Sequence, residues 1–175
     1  MSASFKPLKG FKKAMKKIFG IGVDMQLVTD AGMDAMGAFL AQEVVRGLDS
    51  QAPAGMPFKP LAESTIKARA RKRGKTSTKA LIDTGDLRNS VVHTIAKNPT
   101  RIEVGLLRTA VHKESGLPMA NLGKIHEEGV WGGFGFKIPP RPFLAPITRS
   151  SAIQRRAKKV FERVAKMKKR ELSRL

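Results

Sequence analysis

His126-Glu127 is the pair in this sequence that most resembles a piece of catalytic machinery. It opens like a zinc-protease motif, in which a second histidine one helical turn on brings both rings to one metal and the glutamate serves as base. Position 130 is Val130, and a glycine run starting at Gly129 ends the helix, so the second ligand is missing. The pair reads instead as a helix end, with His126 hydrogen-bonded to backbone and the acids Glu127 and Glu128 facing solvent or a neighbouring subunit. Gly74-Lys75-Thr76-Ser77 has the form of the tail of a phosphate-binding loop. Such a loop needs a strand ahead of it and a further glycine where this chain has Arg69, so nucleotide binding is not expected. His93 and His112 form no nucleophile, base and orienter set with the scattered serines and aspartates. The glycine-rich stretch from Gly129 to Gly135 neither follows a strand nor opens a helix, which excludes a dinucleotide fingerprint. It reads as a flexible loop anchored by Trp131 and Phe134, with Trp131 at a subunit contact or in the core. No catalytic residue, metal ligand or cofactor emerges.

The elements that position these residues belong to a chain of 175 residues, 41% hydrophobic, which fits one domain with a modest core. Cysteine is absent, excluding disulfides and thiolate metal sites. No apolar run approaches the roughly 20 residues that span a bilayer, and the basic start is not a secretory signal, so a soluble chain is expected. Lys and Arg total 34 against 14 acidic residues, a net charge of +20 that predicts attraction to a polyanion or an acidic protein surface. Tyrosine is absent and aromatics are 6%, which serves a base-reading or base-stacking module poorly. Any contact with DNA would be to its backbone.

Along the chain, Leu8, Phe11, Met15 and Ile18 recur at helical spacing among Lys6, Lys9, Lys12, Lys13, Lys16 and Lys17, which predicts a basic amphipathic arm over residues 1–22 with a hinge at Gly20 and Gly22. Asp24 is placed to cap a helix to about Leu48, with Gln26, Asp30, Asp34, Gln42 and Arg46 on its polar side. A proline-rich loop follows, then a short basic helix from about Ala62 to Lys72, whose end overlaps a charged stretch from Arg69 to Lys79 that is expected to be an exposed, mobile loop. In Asp83-Thr84-Gly85 the glycine takes positive φ, Asp86 caps a single helical turn, and Leu81 and Leu87 anchor it to the core. Val91 to Ala96 and Arg101 to Leu106 form an antiparallel hairpin with Val92, Ile102 and Val104 as core. Leu117 to Glu128 is helical, and Phe136 to Ile138 is a last strand entering the same sheet. Pro146 begins a closing helix whose stripe is Ile153, Ala157, Val160, Val164, Met167 and Leu172. The expected fold is α+β: a small antiparallel sheet of three to four strands, packed by the helix near 24–48 and the basic helix near 146–173. Residues 23–175 form its single domain.

Three segments fall in a fixed order: Leu81-Ile82-Asp83-Thr84-Gly85-Asp86-Leu87-Arg88-Asn89-Ser90, His126-Glu127-Glu128-Gly129 and Pro139-Pro140-Arg141-Pro142-Phe143-Leu144. With Pro60-Leu61 and Thr65 upstream, the series resembles the virion-morphogenesis or tail-completion family of tailed bacteriophages, small proteins that finish the tail end meeting the head. The resemblance implies a structural, non-enzymatic part of the neck or tail. It would be assembled in the host cytoplasm as a homo-oligomeric ring, sixfold, around the DNA channel, docking neck, tail-tube or tail-terminator proteins without a membrane. Phe11, Met15, Ile18, Trp131, Phe134, Arg141 and Phe143 are the candidate interface. Lys12, Lys13, Lys16, Lys17, Arg69, Arg71, Lys72 and Arg73 are candidates for non-specific polyanion contact. Because both basic ends also carry apolar stripes, they are expected to pack on protein. The alternatives are a small basic DNA-binding or packaging accessory protein and a hydrolase using His126 and Glu127.

Overall fold

The computed structural model describes residues 2–5, 25–73, 78–97, 100–131 and 137–174. The arm's helix and hinge, the Gly74-Lys75-Thr76-Ser77 segment, the Asn98-Pro99 turn and Phe134 lie outside them. Two long helices form the frame. Helix α1 (Met25–Ser50) buries Val28, Met33, Leu40, Val44 and Leu48, while of the polar side read from the sequence Gln26, Asp34, Gln42 and Arg46 stay exposed and Asp30 is half-buried. The closing helix is divided. A short turn of helix, Ala145–Arg149, stops at Ser150, whose hydroxyl then accepts from the Ile153 amide and starts the 22-residue Ser151–Leu172. The long helix packs along α1 through Ile153, Ala157, Phe161 and Ala165 at four-residue spacing.

That seam corrects the expected stripe. Val160 and Val164 are only half-buried and Met167 is 59% exposed. Phe161 decides the rotation of the helix, because its ring lies against Gly32 of α1: a Cβ there would come within 2.6 Å of the ring carbons. Any larger residue would push the helices apart at the point where the largest side chain of the seam is fully buried. The same seam takes in Glu43, 5% exposed, whose carboxylate pairs with Arg46 at 2.5 Å and with Arg156 at 2.8 Å.

Strands β2 (Val91–Lys97) and β3 (Thr100–Leu106) form the expected antiparallel hairpin, in the register Val92↔Gly105 and Ile95↔Ile102. The short β1 (Ser2–Phe5) pairs antiparallel along the other side of β3. Ile102, Val104 and Leu106 turn to the core with Val91 and Ile95 beside them, and α1 covers that face. Val92 was expected in the core but sits half-buried on the opposite face, across from Gly105, since side chains alternate along a strand. The expected last strand also differs: β5 (Lys137–Ile138) pairs with β4 (Val130–Trp131) in a separate two-stranded ladder, not with the hairpin. The fold is thus α+β, with a long helix early in the domain and another at its end. Shorter pieces complete it: α2 (Glu63–Arg73), α3 (Asp86–Asn89), α4 (Met119–Glu128), α5 (Ala145–Arg149) and, ahead of them, a 3-10 turn at Pro53–Gly55. We number Ser151–Leu172 as α6. Residues 69–72, read both as the end of the short basic helix and as the start of the exposed loop, are helical in α2, which ends at Arg73. No described helix is long and apolar enough to cross a membrane.

Candidate functional site

The motif at residues 81–90 is a turn strapped to the end of α1. Gly85 takes φ +87°, the left-handed conformation that favours glycine, and itself caps α3. Asp86, expected as the cap, is instead the first residue inside the turn, and its amide donates to Thr84 Oγ1 at 3.3 Å. Leu87 is buried as expected, and Leu81 packs at the edge of the core. Gln51 donates to the carbonyl of Ala80 at 3.0 Å and accepts from the Ala80 amide at 2.5 Å. Arg88 grips Asp49 of α1 in a two-point pair, Nε to Oδ1 at 2.7 Å and Nη2 to Oδ2 at 2.9 Å. The hydrogen bond from Arg88 holds the Asp49 carboxyl below its ordinary range, and the same bond raises Arg88.

His126-Glu127-Glu128-Gly129 and Pro139–Leu144 act on each other. Glu127, expected to face solvent or a neighbour, accepts from three successive amides: Phe143 N at 2.9 Å and Leu144 N at 3.1 Å on Oε2, and Ala145 N at 2.7 Å on Oε1. These are donors that the start of α5 leaves without intrahelical partners, so a carboxylate from elsewhere in the chain closes the helix. Gly129 ends α4 at φ +75°, where a Cβ would lie 2.9 Å from the Ile138 carbonyl oxygen. The Arg141 amide donates to the carbonyl of His126 at 2.7 Å, while its side chain reaches back to the Pro60 loop. There Nε donates to Lys59 O at 2.9 Å and Nη2 to Pro60 O at 2.9 Å. Arg141 is 6% exposed and Phe143 is fully buried, so these two candidate interface residues are internal supports.

The segments of the motif series come together around one cleft of about 690 Å³. Pro60, Leu61, Thr65 and Arg69 form one wall, Thr84, Gly85 and Asp86 the second, and His112, His126, Ile138 and Arg141 the third. His126 titrates near 4, first because burial disfavours its charged form and then because Arg141 repels it, so the ring is neutral at physiological pH. Burial likewise lowers Arg141, with Arg69 adding to the effect. His126 Nδ1, expected to find a backbone partner, is buried without one, as is Asp86 Oδ2. The cleft therefore offers two unpartnered polar atoms, His126 Nδ1 and Asp86 Oδ2, beside apolar walls.

Of the basic residues read as polyanion contacts, Arg69 donates to Lys79 O at 2.8 Å and lies 3.5 Å from Asp83, and Lys72 pairs with Glu114 at 2.8 Å. Arg71 is exposed. Lys12, Lys13, Lys16, Lys17, Phe11, Met15 and Ile18 lie outside the described residues, as do the side chains of Arg73 and Trp131. Sequence reasoning missed Glu43 and Asp49 on α1 and Gln51 just past its end, since the helical pattern gave no sign of distant partners.

Comparison with curated proteins and with solved structures finds no match. The model of the phage virion morphogenesis family matches residues 8–167, which takes in α1, the hairpin, the segments of the cleft and most of α6. The chain belongs to the phage virion morphogenesis family.

Proposed function

We propose that this protein, whose family assigns it a structural, assembly role in building a phage particle, acts as a tail-completion component at the head-proximal end of the tail. Copies of it close into a ring around the DNA channel, sixfold, and the ring docks neighbouring tail-tube or terminator proteins. The family match over residues 8–167 carries this reading. The cleft supports it in physical terms. Glu127 and Arg141 hold backbone in place, so the motif series builds a rigid receptor; a segment from an adjoining subunit would supply partners for His126 Nδ1 and Asp86 Oδ2. The amphipathic arm adds a second contact, in which Phe11, Met15 and Ile18 each contribute about 1.5 to 3 kcal/mol if fully buried.

Analytical ultracentrifugation over a wide concentration range, with and without the adjoining virion proteins, tests the ring: a closed oligomer is expected, and monomer under every condition refutes it. Changing Phe11, Met15 and Ile18 to Ser should weaken assembly more than changing the arm's lysines to Gln. A hydrolytic activity that purifies with the wild type and vanishes in folded His126→Ala would replace this reading with an enzymatic one.

A further inference from the structure

We propose that the outward face of α6 is a contact strip for the phosphate backbone of duplex nucleic acid. The apolar side of this helix, which the sequence assigned to packing on protein, is taken up within the chain by α1 through Ile153, Ala157, Phe161 and Ala165. What remains for a partner is the opposite side. Arg155, Lys159, Arg163, Lys166, Arg170 and Arg174 follow one another at steps of four, four, three, four and four residues. At 3.6 residues per turn the five on α6, Arg155 to Arg170, fall within an arc of about 80°, facing away from the seam, and span about 22 Å, with Arg174 just past the helix end. All six are exposed, and among the described residues none takes part in an ion pair. The two carboxylates of α6 point elsewhere: Glu162 toward Lys158 at 3.9 Å and Glu171 toward Lys168 at 3.0 Å.

Like charges one helical turn apart on an exposed helix face repel. An unbroken row of them therefore costs the fold stability, and a polyanion lying along the row relieves the repulsion. Phosphate fits this strip better than an acidic protein does. A protein interface draws on an apolar core, whereas among the described residues of α6 the only exposed large apolar side chain is Met167, 59% exposed, at the strip's margin. Arginine, which holds four of the six positions, matches phosphate with two parallel hydrogen bonds. Nothing on the strip reads bases, so the contact is independent of sequence and falls steeply with salt. This inference rests on α6 alone and stands or falls separately from the ring.

The test titrates the full-length protein with a random 30-base-pair duplex at several salt concentrations. Wild type is compared with a strip variant, K159Q/R163Q/K166Q/R170Q, and with a control of equal charge at exposed positions elsewhere, K97Q/R108Q/K113Q/K124Q. Removing the strip should weaken binding at least about tenfold at 0.1 M salt and flatten the salt slope by up to about 3.6, at about 0.9 per phosphate contact, while the control stays near wild type. Equal losses in both variants would mean that net charge, not the strip, binds, and would overturn the proposal. So would a wild-type slope near zero, or polyglutamate competing as well as DNA. Chemical modification of arginine and lysine on wild type gives a reading that needs no variant: protection by DNA should map to the strip, and protection confined to other segments refutes it.

Discussion

Around the cleft, cations have acceptors within the chain: Arg141 two carbonyls, Arg88 the carboxylate of Asp49, Arg69 a carbonyl and Asp83. Along the outer side of α6, six exposed cations follow one another with no ion pair among the described residues. The same residue types serve opposite ends in the two regions. A guanidinium buried against backbone oxygens fixes loop geometry, since each bond replaces water that cannot enter. One left in solvent contributes little to the fold and stays available to a partner. A net charge of +20 is therefore a poor guide until it is divided between these uses.

The sharpest way to break the comparison is Arg141→Ala. The substitution strands the carbonyls of Lys59 and Pro60 and removes a buried side chain from the wall of the cleft, so a loss of about 3 kcal/mol in denaturant unfolding is expected. Arg141→Lys should recover only part of this, because one ammonium cannot reproduce two bonds in a fixed fork. A loss below about 0.5 kcal/mol would place Arg141 with the strip cations.

His126 gives the next effect, read through pH. An unfolded imidazole titrates near 6.5, whereas the folded one titrates near 4. As pH falls below 6.5 the unfolded chain takes up the proton first. Stability is therefore full above about 6.5, declines toward 4 and then levels, with a total loss of at most about 3 kcal/mol. Asp49, held low by Arg88, contributes stability present above its ordinary 3.8 and lost only below it, so the two losses separate on a pH titration of unfolding. His126→Gln should flatten the first step and leave the second.

Glu127→Gln follows, at about 2 kcal/mol. The amide keeps one acceptor oxygen for three backbone donors and gives up the charge. Hydrogen exchange at Phe143, Leu144 and Ala145, at the start of α5, should quicken before that of α6 does. Unchanged exchange there would show that the cap adds nothing to the helix start.

What the sequence disclosed divides along the same line as the energetics. Gly85, the span of α1, the hairpin and the short helix after Ala62 were legible because each is decided by neighbours a few positions away. The duties of Glu127 and Arg141 were not, because their acceptors and donors lie 16 to 18 and 81 to 82 residues off. The motif order marked both residues as important while their charge suggested solvent or a partner. Val92 and the seam of α6 failed for a different reason. A strand with apolar residues on both faces does not say which face is buried, and the seam was set by Phe161 meeting Gly32 on another helix.

The smallest expected effect is the most discriminating. Replacing Lys159, Arg163, Lys166 and Arg170 by Gln should change stability by no more than about 0.5 kcal/mol, since exposed substitutions away from caps, cores and ion pairs rarely exceed that. The sign should favour the variant at low salt, because removing like charges one turn apart relieves repulsion, and the gain should vanish at 1 M salt, where the screening length is about 3 Å. Glu43 of α1, paired with Arg156 of α6, provides the contrast. Glu43→Gln leaves Arg156 and Arg46 beside a neutral group and should destabilise at every salt concentration, because that carboxylate is only 5% exposed. If the strip variant melted well below wild type at low salt, its cations would be holding the fold together. The division between a cleft that organises the chain and a helix face that awaits a polyanion would then collapse.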